Sequence, residues 1–230
     1  MIHRRERIRI ETVIEIKKLV RQQMALHGAA SFSLRMIAKQ MGFTSQALYR
    51  YYPNRNALIS DLIVDACENL ASALEFARDN PPKQRVDDIL FNMLMAYRQW
   101  AVDNPIDYSL IYCKSIPDYK PSVEIIDPAI ERISSVMMKF LQVAWSQGKI
   151  KLFPEYKSLP LELEQQFSKT NVYGLPNAFF YNIVVVWCKL HGLITSEIFS
   201  QLHQFVNDYE LFYRFELITI LKKFGLEPYL

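Results

Sequence analysis

Residues 28–58 decide the fold of this chain, and they read GAASFSLRMIAKQMGFTSQALYRYYPNRNAL. Ser33 is a typical N-cap residue for a first short helix, because its side-chain oxygen can accept a hydrogen bond from an unpaired backbone N–H group. Gly42 follows that helix and tolerates the positive φ that a tight turn needs. Thr44 or Ser45 then caps a second short helix. The pattern predicts two short helices joined by a glycine turn.

The side chains between these caps indicate how the two helices pack. Ala38 is small enough to let the helices cross closely, while Ile37, Phe43 and Leu48 are spaced to form a small core. Two short helices packed in this way form a helix-turn-helix, whose second helix enters the DNA major groove by its N-terminal residues. The stretch therefore predicts a DNA-reading element.

The same stretch resembles the DNA-binding domain of the TetR family of bacterial transcriptional regulators. The family pattern is Ile-Ala, then Gly-hydrophobic-Ser/Thr, then Leu-Tyr-x-His/Tyr-Phe and a Pro-containing turn that ends in Lys or Arg. The matching residues are Ile37-Ala38, Gly42-Phe43-Thr44, Leu48-Tyr49-Arg50-Tyr51-Tyr52-Pro53 and Arg55. Tyr51, Tyr52 and Arg55 stand where His, Phe and Lys are more usual, and each keeps the aromatic or cationic character of its position. We expect Tyr52 to be a core residue.

The resemblance implies roles for individual residues. The end of the second helix that points into the groove consists of Thr44, Ser45 and Gln46. Gln46 is the first candidate for base reading, because its amide can pair in bidentate fashion with adenine, and Arg50 is the second. The family likeness implies that Tyr49 contacts a phosphate, with core packing as the alternative. It also implies that Arg55, at the start of the next helix, clamps a phosphate.

Other polar residues of this region are further candidates for DNA contact. Ser33 and Arg35 belong to the first short helix, from which they could reach the DNA backbone or the edge of the groove. Arg4, Arg5 and Arg7 are expected to form a flexible arm over the phosphates. For each arginine taken alone, the alternative is a solvated surface charge.

The charge of the chain is unevenly distributed. The formal net charge is +3, but residues 1–60 hold eleven basic and three acidic side chains, a net charge of +8 that leaves −5 for the rest. A single run of charge is usually a solvated face. This division between two parts of one chain instead predicts an N-terminal part that binds a polyanion and a body that does not touch it.

Helical periodicity dominates the sequence. The first helix is predicted from apolar residues at steps of three and four, with Gly28 closing it: Ile10, Val13, Ile16, Val20 and Met24. Beyond the helix-turn-helix, helices are predicted at about 54–77, 84–103, 105–114, 122–147, 161–170, 175–194 and 197–224. No convincing strand pattern occurs, so the predicted class is all-α with nine to ten helices. We predict a three-helix DNA-binding domain at 1–53 and a larger helical domain for ligand binding and dimerisation at 54–230.

Several classes of function are excluded by what the sequence lacks. Its six glycines are scattered, whereas nucleotide-binding loops need clustered glycines. The three cysteines, Cys67, Cys113 and Cys188, form no CxxC pair of the kind that zinc and redox sites use. The four histidines form no HExxH motif, and no serine lies in a GxSxG motif. We therefore expect no enzymatic activity, no cofactor and no metal ion.

The sequence also indicates a compartment. Its first residues, MIHRRERIRIE, contain no apolar core and no small-residue cleavage site, so no signal peptide is expected. The most apolar stretch, 178–188, is interrupted by Asn182 and is shorter than the roughly 20 residues that a membrane span needs. A sparse, odd number of thiols suits a reducing compartment. We expect a cytoplasmic protein that does not associate with a membrane.

The last predicted helix, 197–224, is apolar on more than one face. One stripe consists of Leu202, Val206, Tyr209, Tyr213 and Phe224, and a second consists of Phe199, Phe205, Phe212 and Phe215. A surface helix needs one apolar stripe, so two stripes indicate burial on two sides. In the TetR family the C-terminal helices form a four-helix interface, so the second stripe is the predicted homodimer interface. A purely intramolecular core is the alternative.

A small-molecule site is also predicted in the C-terminal domain. Trp187, His191 and Gly192 form a Trp-x-x-x-His-Gly arrangement that resembles one subgroup of TetR-family C-terminal domains. The residues expected to line the pocket are Tyr97, Trp100, Tyr108, Tyr112, Trp145, Phe180, Trp187 and His191. Core packing is the alternative for each aromatic residue, and a buried, hydrogen-bonded histidine is the alternative for His191. We expect a small effector of largely apolar character.

These observations predict a TetR-like repressor. It binds a palindromic double-stranded DNA operator as a homodimer, and a small molecule in the C-terminal domain releases it. Coupling is expected to pass through the helix at 54–77, which links Arg55 to the body. The alternatives are an activator and an architectural DNA-binding protein without an effector. The large aromatic C-terminal part argues against the architectural protein.

Overall fold

The computed structural model of the chain describes residues 4–28, 31–113 and 116–228. Within these residues the secondary structure consists of ten α-helices and a 3-10 turn at Pro154–Tyr156, without a β-strand. The predicted all-α class and the number of helices are confirmed. The helices are α1 (Arg4–His27), α2 (Leu34–Gln40), α3 (Ser45–Tyr49), α4 (Arg55–Asp79), α5 (Val86–Asp103), α6 (Pro105–Tyr112), α7 (Val123–Ser146), α8 (Leu161–Thr170), α9 (Asn177–Ile198) and α10 (Tyr209–Lys223).

The first helix is longer than the sequence predicted. Its buried residues Ile16, Val20 and Met24 recur every four positions, as expected for one face of a helix. At its C-terminal end the N–H group of Gly28 donates to the carbonyl of Met24 at 2.8 Å, and Gly28 has a φ of +87°. Helices commonly end on a glycine in this left-handed conformation. The predicted glycine stop is therefore confirmed.

The N-terminal arginines belong to this helix instead of a flexible arm. α1 begins at Arg4, so Arg4, Arg5 and Arg7 lie in its first two turns, where every side chain is exposed. Arginine and glutamate are good helix formers, and Arg7 pairs with Glu11 one turn later at 3.7 Å. The prediction of a flexible arm is wrong because these local preferences extend the helix.

The prediction of one helix at 197–224 is also wrong. α9 continues to Ile198, a connecting segment follows, and α10 begins only at Tyr209. Ser200 has a φ of +51°, which a right-handed helix cannot contain. Asp208 then caps α10, because its Oδ1 atom accepts a hydrogen bond from the N–H group of Leu211 at 2.9 Å. Four residues of the two predicted stripes therefore lie in the connection: Phe199, Leu202, Phe205 and Val206.

The chain divides into two compact units that differ from a simple division into N- and C-terminal parts. The first unit consists of Met1–Asn69 and Asn104–Arg132, and it contains α1, α2, α3 and α6. The second consists of Leu70–Asp103 and Ile133–Leu230, and it contains α5, α8, α9 and α10. The helices α4 and α7 each contribute residues to both units. The helix α6 thus belongs to the unit that contains the helix-turn-helix.

The core of the second unit is built where α5, α9 and α10 pack on one another. Each helix contributes fully buried side chains, among them Met93 from α5, Ile194 from α9 and Leu217 from α10. Tyr213 is also buried there, and its hydroxyl donates to the carbonyl of Leu94 at 3.0 Å. Because a buried hydroxyl must find a partner, this bond helps to fix α10 against α5.

The helix α9 is unusually apolar. By length and composition alone, Asn177–Ile198 could cross a membrane, and 28% of its most apolar window is buried within the structure. The same helix carries the buried amide of Asn182 and packs on α5, α8 and α10. A core helix of a globular unit passes the same test, so this composition is weak support for a membrane span.

Candidate nucleic-acid interface

The second helix of the helix-turn-helix presents its N-terminal end to solvent. Thr44 caps α3, because its Oγ1 atom accepts a hydrogen bond from the N–H group of Ala47 at 3.1 Å. Thr44, Ser45 and Gln46 are all exposed, whereas Leu48 on the opposite side is fully buried. The three residues predicted to enter the groove therefore share one accessible helix end.

The first helix of the motif is held in place by its own cap and by the turn. The Oγ atom of Ser33 accepts a hydrogen bond from the N–H group of Met36 at 3.2 Å, which caps α2. Gly42 has a φ of +67°, and this turn brings the N–H group of Phe43 to within 2.8 Å of the carbonyl of Ala38. α2 and α3 are therefore locked together as the sequence predicted. Arg35 is exposed on α2.

The small core of the motif differs in one residue from the prediction. Ile37 and Leu48 are fully buried, but Phe43 is only half-buried. Its ring stacks on that of Tyr51 with 6.4 Å between centroids, and the guanidinium of Arg9 lies 6.0 Å from the centroid of Tyr51. A cation over an aromatic face is attractive, so α1 is fastened to the turn by these rings.

The opposite end of α3 carries the residues that the family likeness assigns to DNA binding. Tyr49 and Arg50 are exposed. Arg55 begins α4 and is half-buried, and its guanidinium lies 4.7 Å from the centroid of the buried Phe32 ring. Asn54 caps this helix through its Oδ1 atom, which accepts from Ala57 at 2.8 Å. The N-terminus of α4 and the Arg55 charge thus form one positive region, which suits a phosphate.

The structure also places together a set of ionic residues that the sequence reasoning missed. Lys17 of α1 lies 3.1 Å from Asp61 and 3.4 Å from Asp65, both of α4. Arg21, one turn further along α1, lies 2.7 Å from Asp65 and 2.7 Å from Asp107 of α6. In the sequence, Lys17 and Arg21 are four residues apart, and so are Asp61 and Asp65. Because only the packing of α1 against α4 and α6 makes them partners, the sequence alone did not reveal these contacts.

Tyr52 extends this set of contacts to the end of the helix-turn-helix. It is buried, as predicted for a core residue, and its hydroxyl donates to Asp61 at 2.5 Å. Burial and the neighbouring Asp61 carboxylate raise the pKa of Tyr52 far above its ordinary value. The hydroxyl is therefore a permanent donor at physiological pH. We refer to six side chains as the polar chain: Tyr52, Asp61, Lys17, Asp65, Arg21 and Asp107.

The second unit groups three of the eight residues predicted to bind a small molecule. The rings of Tyr97 and Trp187 stack with 5.3 Å between centroids, and those of Trp187 and His191 with 5.7 Å. The hydroxyl of Tyr97 and Nδ1 of His191 are 3.1 Å apart, within hydrogen-bond distance. Burial lowers the pKa of His191 below its ordinary value of 6.5, which favours the neutral imidazole. Together these side chains form a partly accessible aromatic cluster.

The other predicted pocket residues lie on four helices of the described part of the chain: α5, α6, α7 and α9. Trp145 stacks on Phe179 with 4.4 Å between centroids. Phe180 packs against Phe167 at 5.8 Å, and Trp100 is buried on α5. Tyr108 and Tyr112 belong to α6 of the first unit, where their centroids are 5.1 Å apart. The pocket assignment of these residues therefore stays a prediction.

The residues predicted to form a dimer interface are all solvent-exposed in the single chain. The exposed fractions are 49% for Phe199, 82% for Phe205, 36% for Phe212 and 66% for Phe215. Phe212 and Phe215 lie on α10, whereas Phe199 and Phe205 lie in the connection that precedes it. Large exposed aromatic side chains are typical of interaction surfaces when they form one patch, as Phe212 and Phe215 can, three residues apart on α10.

Across residues 4–28, 31–113 and 116–228, no three His, Cys, Asp or Glu side chains are grouped so that they could hold a metal ion.

Two family models match the chain. The one described as "Bacterial regulatory proteins, tetR family" matches residues 20–62, which include α2 and α3. The one described as "Tetracyclin repressor-like, C-terminal domain" matches residues 90–219, more than half of the chain. Both parts of the molecule thus match models of one kind of regulator.

Individual proteins agree with the family models. The HTH-type transcriptional regulator Rv1816 of Mycobacterium tuberculosis is 28% identical over 202 residues, which cover 87% of this chain and 86% of that protein. The crystal structure of SCO4313, described as a regulatory protein, has a TM-score of 0.77 at 27% identity and covers 96% of this chain and all of its own. The fatty acid degradation regulator FadR of Bacillus halodurans shares the fold, with a TM-score of 0.62 at 13% identity over 91% of this chain and 94% of its own. All three names describe regulators.

Proposed function

Because the chain belongs to the tetR family of bacterial regulatory proteins, we propose that it is a transcriptional repressor, which binds a palindromic operator as a homodimer and leaves it when a small molecule binds. The observation that carries the proposal is the capped α3 helix, whose exposed N-terminal end includes Gln46. We assign DNA binding to residues 1–53 and effector binding and dimerisation to residues 54–230. A regulator of this kind acts in the cytoplasm.

In this proposal the exposed residues divide into base readers and phosphate binders. Gln46 pairs with adenine, and Arg50 contacts a second base edge. Tyr49 and Arg55 bind phosphates, together with Ser33 and Arg35. The stacking of Arg55 on Phe32 supports its role, because a guanidinium fixed by a ring loses less entropy when it binds a phosphate.

Dimerisation follows from the size of the DNA reader. One short helix reads only a few base pairs, so helix-turn-helix proteins usually bind two half-sites as dimers. The exposed Phe212 and Phe215 on α10, with the exposed Phe199 and Phe205 of the preceding connection, supply apolar side chains for the partner. A palindromic operator is the DNA counterpart of this two-fold symmetry.

The effector site is proposed at the cluster of Tyr97, Trp187 and His191. Stacked rings with a neutral imidazole and a hydroxyl beside them suit a planar, largely apolar molecule that carries one hydrogen-bonding group. An effector that prefers one dimer conformation over the other by about 1–3 kcal/mol would change operator occupancy. α4 carries the coupling, since it begins at Arg55 and contributes residues to both units.

A selection from random duplex DNA at moderate salt tests the proposal. We expect recovery of a palindrome whose two half-sites are separated by one helical turn or a multiple of it, and binding that weakens as salt rises. Release of that duplex by members of a panel of small molecules would identify the effector class. A protein that recovers no common sequence would refute the proposed function.

The role of Gln46 is tested with one substitution and a matched control. We expect Gln46→Ala to weaken operator binding by about 1–3 kcal/mol and to relax the preference at one base pair of each half-site. Gln40→Ala is the control, because Gln40 is an exposed glutamine at the end of α2. An unchanged base preference in the Gln46 variant would remove the base-reading assignment.

A further inference from the structure

We propose that the polar chain positions the recognition helix α3, so that operator affinity depends on Asp107 of α6 and on the hydroxyl of Tyr52, although neither is exposed to DNA. The inference rests on the proposed function for its DNA readout. The inference extends the proposed function by naming the side chains through which α6, a helix outside residues 1–53, acts on the recognition helix.

The contacts of the polar chain form one continuous path, because Lys17 and Arg21 each contact two carboxylates. Lys17 bridges Asp61 and Asp65, and Arg21 bridges Asp65 and Asp107. The side-chain exposures are 14% for Lys17, 24% for Arg21 and 7% for Asp107, but 39% for Asp61 and 35% for Asp65, so solvent screens the Arg21–Asp107 contact weakly and the contacts of the other two aspartates partly. A shift of any one member therefore changes the partners of its neighbours.

One end of the path is fixed to the recognition helix. The N–H group of Tyr52 donates to the carbonyl of Leu48 at 3.1 Å, so Tyr52 follows the last turn of α3 as a rigid extension. Its buried hydroxyl is held by Asp61.

The other end of the path lies on the helix that the chain enters when it leaves the second unit. α5 ends at Asp103 in the second unit, and α6 begins two residues later at Pro105 in the first. Asp107 is in the first turn of α6 and is buried, and burial raises the pKa of its carboxyl above the ordinary value although Arg21 opposes this. A displacement of the start of α6 must therefore either move Arg21 or leave a buried carboxylate without its partner.

Three variants test the path, with the selected operator duplex as the probe. Tyr52→Phe removes only the hydroxyl, Asp107→Ala removes the acceptor, and Asp107→Asn keeps an oxygen at the same place. We expect Tyr52→Phe and Asp107→Ala each to weaken operator binding by about 5-fold or more. Asp107→Asn should recover part of that loss. The double variant should bind no more weakly than the worse single variant, because both break the same path.

A matched control separates the path from general loss of a tyrosine hydroxyl. The hydroxyls of Tyr119 and Ser60 lie 2.9 Å apart, so Tyr119→Phe also removes a contact with α4 but leaves the polar chain intact. We expect its operator affinity to equal that of the unaltered protein. Unchanged operator binding in both Tyr52→Phe and Asp107→Ala would overturn the proposal. Losses of affinity that add in the double variant would also overturn it.

Amide hydrogen exchange without DNA provides a second readout. We expect faster exchange across residues 45–52 in Tyr52→Phe and Asp107→Ala than in Tyr119→Phe, because release of the path loosens α3. If all variants exchange alike in this segment, the path does not position α3. Failure of the unaltered protein to select any DNA would count against the proposed function, while the exchange result would still decide this inference.

Discussion

Single residues with unusual backbone geometry make the helix-turn-helix possible. Gly42 has a φ of +67°, a conformation that L-amino acids with a side chain adopt only at a cost. A Cβ atom at this position would meet no atom within 4 Å, so the cost of a larger residue is conformational and not steric. The turn that aims α3 thus depends on the missing side chain of one residue.

We expect Gly42→Ala to lower the free energy of unfolding by roughly 1–2 kcal/mol, measured by urea denaturation at a fixed protein concentration. Gly42→Asn is the matched variant, because asparagine enters the left-handed region more readily than alanine. It should be the less destabilised of the two. Equal stability of Gly42→Ala and the unaltered protein would show that the turn does not require glycine.

Residues with local signals could be predicted from the sequence, while residues with distant partners could not. Ser33, Thr44 and Gly42 act within their own turn, so the caps and the turn were predicted correctly. Lys17 and Arg21 were counted only among the eleven basic side chains of residues 1–60, whereas Arg21 has a partner, Asp107, that is 86 positions away. The residues next to a side chain in the sequence do not identify a partner that only tertiary packing brings close.

At the scale of elements, a buried charge fixes the arrangement of α5, α9 and α10. Arg98 of α5 has a 6% exposed side chain and makes two hydrogen bonds with Glu197 of α9, at 2.8 and 2.5 Å. It also lies 3.6 Å from Glu210 of α10. Because a buried guanidinium must be paired, Arg98 fixes the positions of α5, α9 and α10 relative to one another.

We expect Glu197→Ala to cost about 3–5 kcal/mol in the free energy of unfolding, because it leaves most of the Arg98 charge buried without its main partner. The double variant Arg98→Met/Glu197→Leu should recover most of that loss, since it removes both charges. Asp79→Asn is a surface control, because it removes the partner of Arg78 at an exposed pair. A double variant as unstable as Glu197→Ala would contradict this account.

Element boundaries show where periodicity is an insufficient guide. Most helices were predicted from their apolar spacing and their Pro or Gly ends, because those signals are local. The spacing of aromatic residues continued through 199–208, and this produced the incorrect helix at 197–224. The positive φ of Ser200 and the cap at Asp208 interrupt the helix there, and neither feature changes the apolar pattern.

At the scale of the whole molecule, the charge division corresponds only partly to a DNA-binding surface. Residues 1–60 carry +8, but Lys17 and Arg21 are engaged with aspartates of α4 and α6. The exposed basic residues of this part, which include Arg35 and Arg50, remain available for DNA. The dependence of operator binding on salt will therefore reflect fewer phosphate contacts than the formal charge suggests.

We expect the protein to sediment as a dimer at micromolar concentration. Phe212→Glu/Phe215→Glu should sediment as a monomer, because two carboxylates would replace exposed rings in the proposed interface. Phe76→Glu is the control, because Phe76 has an exposed fraction close to that of Phe215 but belongs to α4. A monomeric unaltered protein would refute the proposed homodimer, and a monomeric Phe76 variant would place the interface elsewhere.

The hydroxyl of Tyr52 has a consequence for how this regulator can evolve. Tyrosine and phenylalanine codons differ by one nucleotide, so the contact with Asp61 can be gained or lost in a single mutational step. Tyr52 is buried, whereas Gln46 and Arg50 are exposed at the proposed base-reading positions. Under the proposed path, selection can therefore adjust operator affinity through Tyr52 without changing the residues proposed to read bases.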